Sequence, residues 1–299
     1  MGIVLEKNFA DRIVDIIIYG VLGLVALSCF LPLVNTLAVS LSDRGPAEAG
    51  RVLFWPIQYS LSSYQKLVEE DQFIRSFLIS VERVLLGCSI NFILTVLTAY
   101  PLSKTKKVFP ARNIFMWYVV AMMVFGAGLI PMYIIVSKLQ LVNSIWALVI
   151  PRGLPIWNVI LLMNFFRGVP SELEEAAVMD GAGPWYILFR IYLYVSLPAL
   201  ATVTLFTIVG HWNSFFDGLI YMQNPKKYPL QTYIRQLTLI INYEHIASMS
   251  PEEIERIMEV SNRTYNAAKI FISMIPILAI YPFLQKYFTK GIVLGAVKG

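Results

Sequence analysis

The chain has 299 residues, of which 57% are hydrophobic and only 14% charged, and its mean hydropathy is +0.65. A soluble domain carries about a quarter charged residues, so this much apolar surface exceeds what one water-surrounded core can bury, and lipid is the solvent that suits it. The net charge of +5 does not point to nucleic acid, because the cations sit in short patches between apolar runs, as the positive-inside bias of membrane proteins produces.

The first residues mix Glu6, Lys7, Asp11, Arg12 and Asp15. The apolar run behind them is too long for a signal-peptide core, and it predicts a first spanning helix. A span needs about 20 mostly apolar residues. Six runs qualify, near Ile13–Leu41, Phe73–Leu102, Asn113–Val136, Ser144–Phe166, Tyr192–Met222 and Ala267–Phe288. Pro32, Pro131, Pro151, Pro155, Pro198, Pro276 and Pro282 interrupt most of them. Spanning helices tolerate proline where neighbouring protein satisfies the freed carbonyls, so the runs are expected to pack as a bundle. The predicted architecture is all-α, six transmembrane helices in a single domain over residues 1–299. Cys29 and Cys88 both fall inside apolar runs and read as small packed hydrophobes, not as a disulfide or metal site.

Short loops set the orientation. Ser103–Arg112 carries Lys104, Lys106, Lys107 and Arg112 without an acid, and the tail carries Lys290 and Lys298. Both are expected in the cytoplasm, and with six spans the amino terminus joins them. The external segments 42–72 and 223–266 are longer and more acidic. Within the second, Pro251–Val260 reads as a short amphipathic helix capped by Ser250, either a solvated surface element or a contact for a soluble partner.

The segment between the fourth and fifth spans, about 167–190, holds the acids Glu172, Glu174, Glu175 and Asp180. Acids contribute little to topology, so it too is expected in the cytoplasm. Ser171 with Glu174 has the spacing of a capping box. Gly181 sits where a helix closes in a left-handed residue, and Gly183-Pro184 opens another. A helix of roughly two turns follows over Glu172–Asp180, too short to persist alone. Leu173, Ala176 and Ala177 share one face, and Glu172, Glu175 and Met179 another. Such a capped, acidic knob reads as a docking element or as a connection packed on its own bundle.

Ionisable groups at membrane depth are costly and default to functional candidates. Glu82 and Arg83 lie in the second span, and as neighbours they must pair with other helices. Arg152, between Pro151 and Gly153, suggests a broken helix lining a cavity. His211, Trp212, Asn213 and Asp217 in the fifth span are the candidates for a substrate pathway, Trp212 and Asn213 because sugars stack on aromatic faces and bond to amides. Interhelical hydrogen bonding is the competing reading. No G-x-x-x-x-G-K-[ST] loop, H-E-x-x-H pair or G-x-S-x-G elbow occurs in the sequence, so ATP binding through a phosphate loop, metal sites of that type and catalysis are not expected.

Glu175-Ala176-Ala177, followed by Gly181 and Ile191, resembles the EAA signature of bacterial ABC-importer permeases. Leu197-Pro198-Ala199-Leu200-Ala201, Gly210-His211-Trp212-Asn213-Ser214-Phe215-Phe216, Tyr228-Pro229-Leu230-Gln231 and Tyr281-Pro282-Phe283-Leu284-Gln285-Lys286-Tyr287-Phe288 are similar to its carbohydrate-uptake, maltose-permease-like branch, and to the subgroup importing complex oligosaccharides in Gram-positive bacteria. Two positions depart from the pattern. Tyr194 stands where the family has the proline of Ile-x-Leu-Pro, which moves the expected kink a turn later, to Pro198, and Ser214 stands where many sugar permeases have an acid.

The resemblance implies a permease subunit of an importer, with Glu174, Glu175, Ala176, Ala177, Met179, Asp180 and Gly181 forming the contact to a separate ATPase. Glu175 would pair with a cation there, while Gly181 supplies the turn and the alanines the close approach. It also implies a second, related permease forming a heterodimer, two ATPase subunits that hold ATP and Mg in place of any cofactor on this chain, an extracellular sugar-binding protein and an oligosaccharide cargo. An ion-driven secondary carrier is the alternative; such carriers place acids at midplane and show internal repeats.

Overall fold

The computed structural model of the chain describes residues 9–239 and 262–296. The expected helix over Pro251–Val260 lies outside them. Among the described residues the regular structure is helical, apart from one isolated bridge between Ser42 and Tyr59. Three helices are long and apolar enough to cross a bilayer unbroken, within Arg12–Ser40, Asp71–Ser103 and Arg263–Phe283. Three more spans are broken pairs. Arg112–Val124 and Leu129–Lys138 meet at 113°, Trp146–Arg152 and Ile156–Arg167 at 45°, and Pro184–Val195 and Leu197–Asn213 at 83°. Six spans result when each pair counts once, in the regions that the apolar runs mark. The fifth ends early: Phe216–Tyr221 is a separate short helix, not a continuation.

In chain order the helices are α1 (Phe9–Ser40), α2 (Arg44–Glu48), α3 (Ser62–Glu69), α4 (Asp71–Ser103), α5 (Arg112–Val124), α6 (Leu129–Lys138), α7 (Trp146–Val149), α8 (Ile156–Arg167), α9 (Ser171–Met179), α10 (Pro184–Tyr186), α11 (Leu193–Val195), α12 (Leu197–Asn213), α13 (Phe216–Tyr221), α14 (Leu230–Leu239) and α15 (Asn262–Ala296). The chain divides into two compact units, Met1–Glu70 with Ile241–Met274, and Asp71–Ile240 with Ile275–Gly299.

In the first unit, α1 carries exposed Ile16, Tyr19 and Leu24, apolar side chains that suit lipid or another polypeptide. Cys29 is exposed on it, so the packed-hydrophobe reading holds only for partly buried Cys88. Toward its end α1 buries Ala38 and Val39 against Ala47, Val52 and Ala267. Asn35 Nδ2 donates to the carbonyls of Val52 at 3.2 Å and Leu53 at 2.6 Å. Ser63 bonds Thr264 at 2.9 Å, and Lys269 pairs with Glu70 at 3.3 Å.

In the second unit α4 is the spine, packed against α8 and α12. Its buried residues include Ser76, Ser80, Arg83, Gly87, Asn91, Thr95, Ala99 and Leu102, which recur every three or four positions. That period makes one stripe down the helix, and small side chains on it let neighbouring backbones come close. A Cβ on Gly87 would lie 2.5 Å from His211 Nε2 and 2.7 Å from two ring carbons. Only glycine lets α4 and α12 approach this closely. At the other end of the unit, Val96, Ala99, Leu102, Leu162, Phe166, Ile187, Leu188, Tyr192 and Val203 form the main apolar core.

Between α10 and α11 the backbone runs as a π-helix, Ile187–Tyr192. The bend then falls at Ser196, with Pro198 in the first turn of α12. The bend thus falls two residues beyond Tyr194 and just ahead of Pro198, which stands one turn beyond it.

Gly87→Ala is expected to lower stability by about 1–3 kcal/mol, the usual cost of overpacking a tight contact. The measurement is the thermal unfolding midpoint of the purified protein in detergent. A midpoint equal to the parent's would show that α12 does not sit where the His211 ring places it.

Candidate functional site

Two regions concentrate polar chemistry, both in the second unit. The first is α9 and its surroundings. Pro170 occupies the N-cap position and Ser171 is the first helical residue, with no side-chain cap bond. The expected capping box is therefore absent. Glu174 has a better offer than an exposed amide: its carboxylate accepts from Lys104 Nζ and from the Tyr192 hydroxyl, each at 2.7 Å. Lys104 also lies over the rings of Tyr100 and Tyr192, 4.3 and 4.0 Å from their centroids. The side-chain pocket that receives Glu174 thus holds a cation, a phenol and two aromatic faces, arrangements that strengthen when partly desolvated.

The other end of α9 matches the sequence expectation. Gly181 has φ +81°. Its amide donates to the Val178 carbonyl at 3.0 Å, and the Ala182 amide to Ala177 at 2.9 Å, the two bonds of a Schellman closure. Pro184 then opens α10. Ala177 is buried in the core with Ile187 and Leu188, so it packs on its own chain. Glu175, Ala176, Met179 and Asp180 are exposed, Met179 at 88%. A cleft of about 650 Å³, lined by Lys104, Thr105, Arg167, Glu175, Val178 and Met179 among others, runs beside the helix.

The charges respond to this setting in opposite ways. Burial pushes the Glu174 carboxyl upward, but the bonds from Lys104 and Tyr192 and the Lys104 charge outweigh it, leaving its pKa below the ordinary value. Burial depresses Lys104, and the attraction of Glu174 only partly restores it. The ion pair therefore favours ionised Glu174 while Lys104 bears the desolvation cost.

The second region lies where α4, the break in the fourth span and the end of α12 meet. The fully buried Arg83 guanidinium donates from Nη1 to Asp217 Oδ1 at 3.2 Å and to the Ser214 carbonyl at 3.2 Å, and its Nη2 pairs with Asp217 Oδ2. Asp217 also accepts from Ser214 Oγ and the Gly218 amide, both at 2.9 Å. Deeper along α4, Asn91 Nδ2 donates to the Arg152 carbonyl at 2.7 Å and Asn91 Oδ1 meets His211 Nε2 at 2.9 Å. Asn158 on α8 donates to the Val203 carbonyl at 3.3 Å and to Thr207 at 3.1 Å.

Arg152 is exposed at the broken helix, as its flanking Pro151 and Gly153 suggest, and it lines a cavity of about 300 Å³ with Asn91, Asn158 and His211. Trp212 is 4% exposed and packs edge-on against Phe77 at 5.6 Å. Neither it nor the paired Asp217 presents a free face to a sugar. Asn213 is exposed, apart from that cavity. Glu82 is exposed beside Asn143 and Lys227. Sequence reasoning passed over Asn91 and Asn158, because outside the fifth span it weighed ionisable groups alone; the signal was an amide on each apolar run. Among the described residues no three His, Cys, Asp or Glu side chains group as metal ligands would.

An all-α membrane bundle with broken spans, polar groups between its helices and a short acidic helix outside the spans suits a membrane transport component. Residues 91–294 match the family described as binding-protein-dependent transport system inner membrane component, and the chain belongs to that family. It is 35% identical over 294 residues to the Bacillus subtilis polygalacturonan/rhamnogalacturonan transport system permease protein YtcP, covering 97% of this chain and 99% of that one. LplC of the same organism is 33% identical over 300 residues, covering 99% and 98%. Among solved structures, a bacterial ABC transporter importing the acidic polysaccharide alginate superposes with a TM-score of 0.85 at 29% identity, covering 95% of this chain and 99% of that one. The chain is thus a permease subunit of an ABC importer, a multi-pass membrane component that forms a channel and is not an enzyme. Such subunits work with an ATPase, a binding protein and a second permease.

Because the folded Glu174 pKa lies below its unfolded value, its contribution to stability is complete above the unfolded carboxylate range. That contribution fades as pH falls through the folded value. Glu174→Gln is expected to remove this part of the acid-side loss. Thermal midpoints of parent and variant, followed from pH 7 downward, should converge as Glu174 protonates; parallel curves would mean that the Lys104–Glu174 pair does not form.

Proposed function

We propose that this chain conducts an oligosaccharide across the cytoplasmic membrane and is driven by a separate ATPase that grips α9. The observation supporting this is the two-sidedness of α9. Glu174 and Ala177 fasten it to its own bundle, while Glu175, Ala176, Met179 and Asp180 face outward. A helix of nine residues gains little from its own hydrogen bonds, so its position follows these fastenings. Glu175 is the candidate for pairing with a cation on the ATPase, and Gly181 fixes the direction in which the knob points. An exposed ion pair contributes only about 0–1 kcal/mol, so the shape around Ala176 and Met179 carries most of the contact.

The cargo reading draws on relatives named for polygalacturonan, rhamnogalacturonan and alginate transport. The proposed assembly is a heterodimer of this chain and a related permease, two ATPase subunits holding ATP and Mg, and an extracellular sugar-binding protein. Both termini and the α9 segment face the cytoplasm in this reading, as the lysines of 103–112 require. The whole of residues 1–299 acts as one permease domain. Within the proposed pathway Arg152 is open to cargo at the cavity that His211 lines, Asn213 is exposed apart from it, and Trp212 and Asp217 hold the wall. The comparisons give no support to an ion-driven carrier.

Gly181→Val puts a β-branched residue at φ +81°, a conformation such residues rarely adopt. The variant is expected to enter membranes, yet to lose oligosaccharide uptake and to co-purify poorly with the ATPase. Uptake at the parent rate, or uptake insensitive to vanadate in the parent, would refute coupling through α9.

A further inference from the structure

We propose that the cavity at the break of the fourth span is a subsite for a carboxylate-bearing sugar residue, a uronic acid, held by Arg152. This rests on the oligosaccharide reading and adds the charge class of the cargo. The cavity of about 300 Å³ is at the small end of ligand sites, with room for a single sugar ring. Arg152 is the one ionisable cation on its wall beside His211. Its only hydrogen bond runs from Nη1 to the Gly210 carbonyl at 3.3 Å, and it makes no ion pair among the described residues. Asp217, the acid of this polar region, is taken by both terminal nitrogens of Arg83. A cation left unpaired among spanning helices faces a cavity or a ligand as a rule.

The surroundings add to the positive field. Pro155 on the cavity wall caps the twelve-residue helix α8, whose partial positive end therefore opens there. His211 is held as part of the wall. Asn91 Nδ2 donates to the Arg152 carbonyl, so its Oδ1 accepts the proton of His211 Nε2, and Nδ1 is buried and closed to the cavity. Phe206 gives an apolar wall for the ring's C–H face. A neutral sugar would use Phe206 equally well but leave Arg152 unpaired. A uronic acid uses both.

The test is uptake of trigalacturonate and of maltotriose by proteoliposomes holding the complete assembly, as the parent and with Arg152→Gln or Arg152→Lys in this chain. The expected result is that the parent carries trigalacturonate and excludes maltotriose. Arg152→Gln should raise the half-saturating trigalacturonate concentration roughly tenfold or more, as loss of a desolvated charge partner does, and Arg152→Lys should recover part of it. Should Arg152→Gln fail to assemble, the parent's choice between the two sugars and the Arg152→Lys constant still decide. Equal uptake of maltotriose, or an unchanged constant in Arg152→Gln, overturns the acidic subsite and leaves the importer reading standing. Transport of neither sugar by an assembly that hydrolyses ATP overturns the oligosaccharide reading as well.

Discussion

Arg83 is fully buried in a helix that has lipid for solvent, and everything around it is arranged so that this charge is never alone. Removing one member of such a pair strands the other at a cost of about 3–5 kcal/mol. The carboxylate of Asp217 answers Arg83, and the Ser214 carbonyl takes a further proton. Asp217 can do so only because α12 stops at Asn213 and the chain turns through Ser214 and Phe215 into α13. A continuous fifth span would carry Asp217 one turn further along the same helix. The charge on α4 and the break in the fifth span thus require each other.

The same helix carries three polar stations at different depths. Arg83 meets Asp217, Asn91 meets His211 and the Arg152 carbonyl, and Lys104, just past the last turn, meets Glu174. Hydrogen bonds among spanning helices contribute modestly one by one. Their placement matters more, because Arg83 and Asn91 lie on the buried stripe of α4 and Lys104 follows directly on its end. A displacement of α9 bears on Lys104 and Tyr192 together, and so on the end of α4 and on the π-helical segment leading to α12. A π-helix has one residue more per turn than the ladder around it and recurs at functional positions. With the 83° bend behind it, it makes the fifth span jointed, whereas α4 is unbroken. Rigid-body motion about packed interfaces is the form that such coupling takes.

Much of this was legible in the residues. Apolar runs of span length gave six membrane regions, Gly181 gave the left-handed closure of α9, and the move of the proline from Tyr194 to Pro198 gave the delayed kink. Each is a local rule of backbone sterics or of burial, and local rules can be read along a chain. What escaped was decided between helices. Ser171 and Glu174 have the spacing of a capping box, yet Glu174 turns to Lys104, 70 positions away. Trp212 was open to two readings, a sugar platform or interhelical packing, and it packs against Phe77. Ala177 looked like half of an external contact and is core. In each case a partner from another helical segment outbid the local option, and for Glu174 and Trp212 no short sequence window includes that partner.

Arg152 shows the same contest with the opposite outcome. Of the charges at membrane depth, Arg83 and Asp217 neutralise each other within the fold, while Arg152 keeps its guanidinium open beside a helix end of the same sign. Geometry gives Asp217 to the buried cation, while the exposed one can be hydrated in its cavity. Desolvation, not proximity in sequence, therefore divides these charges into a structural pair and a cation open to the cavity. The structural pair holds the wall; in the proposed reading the open cation would give the cavity its preference.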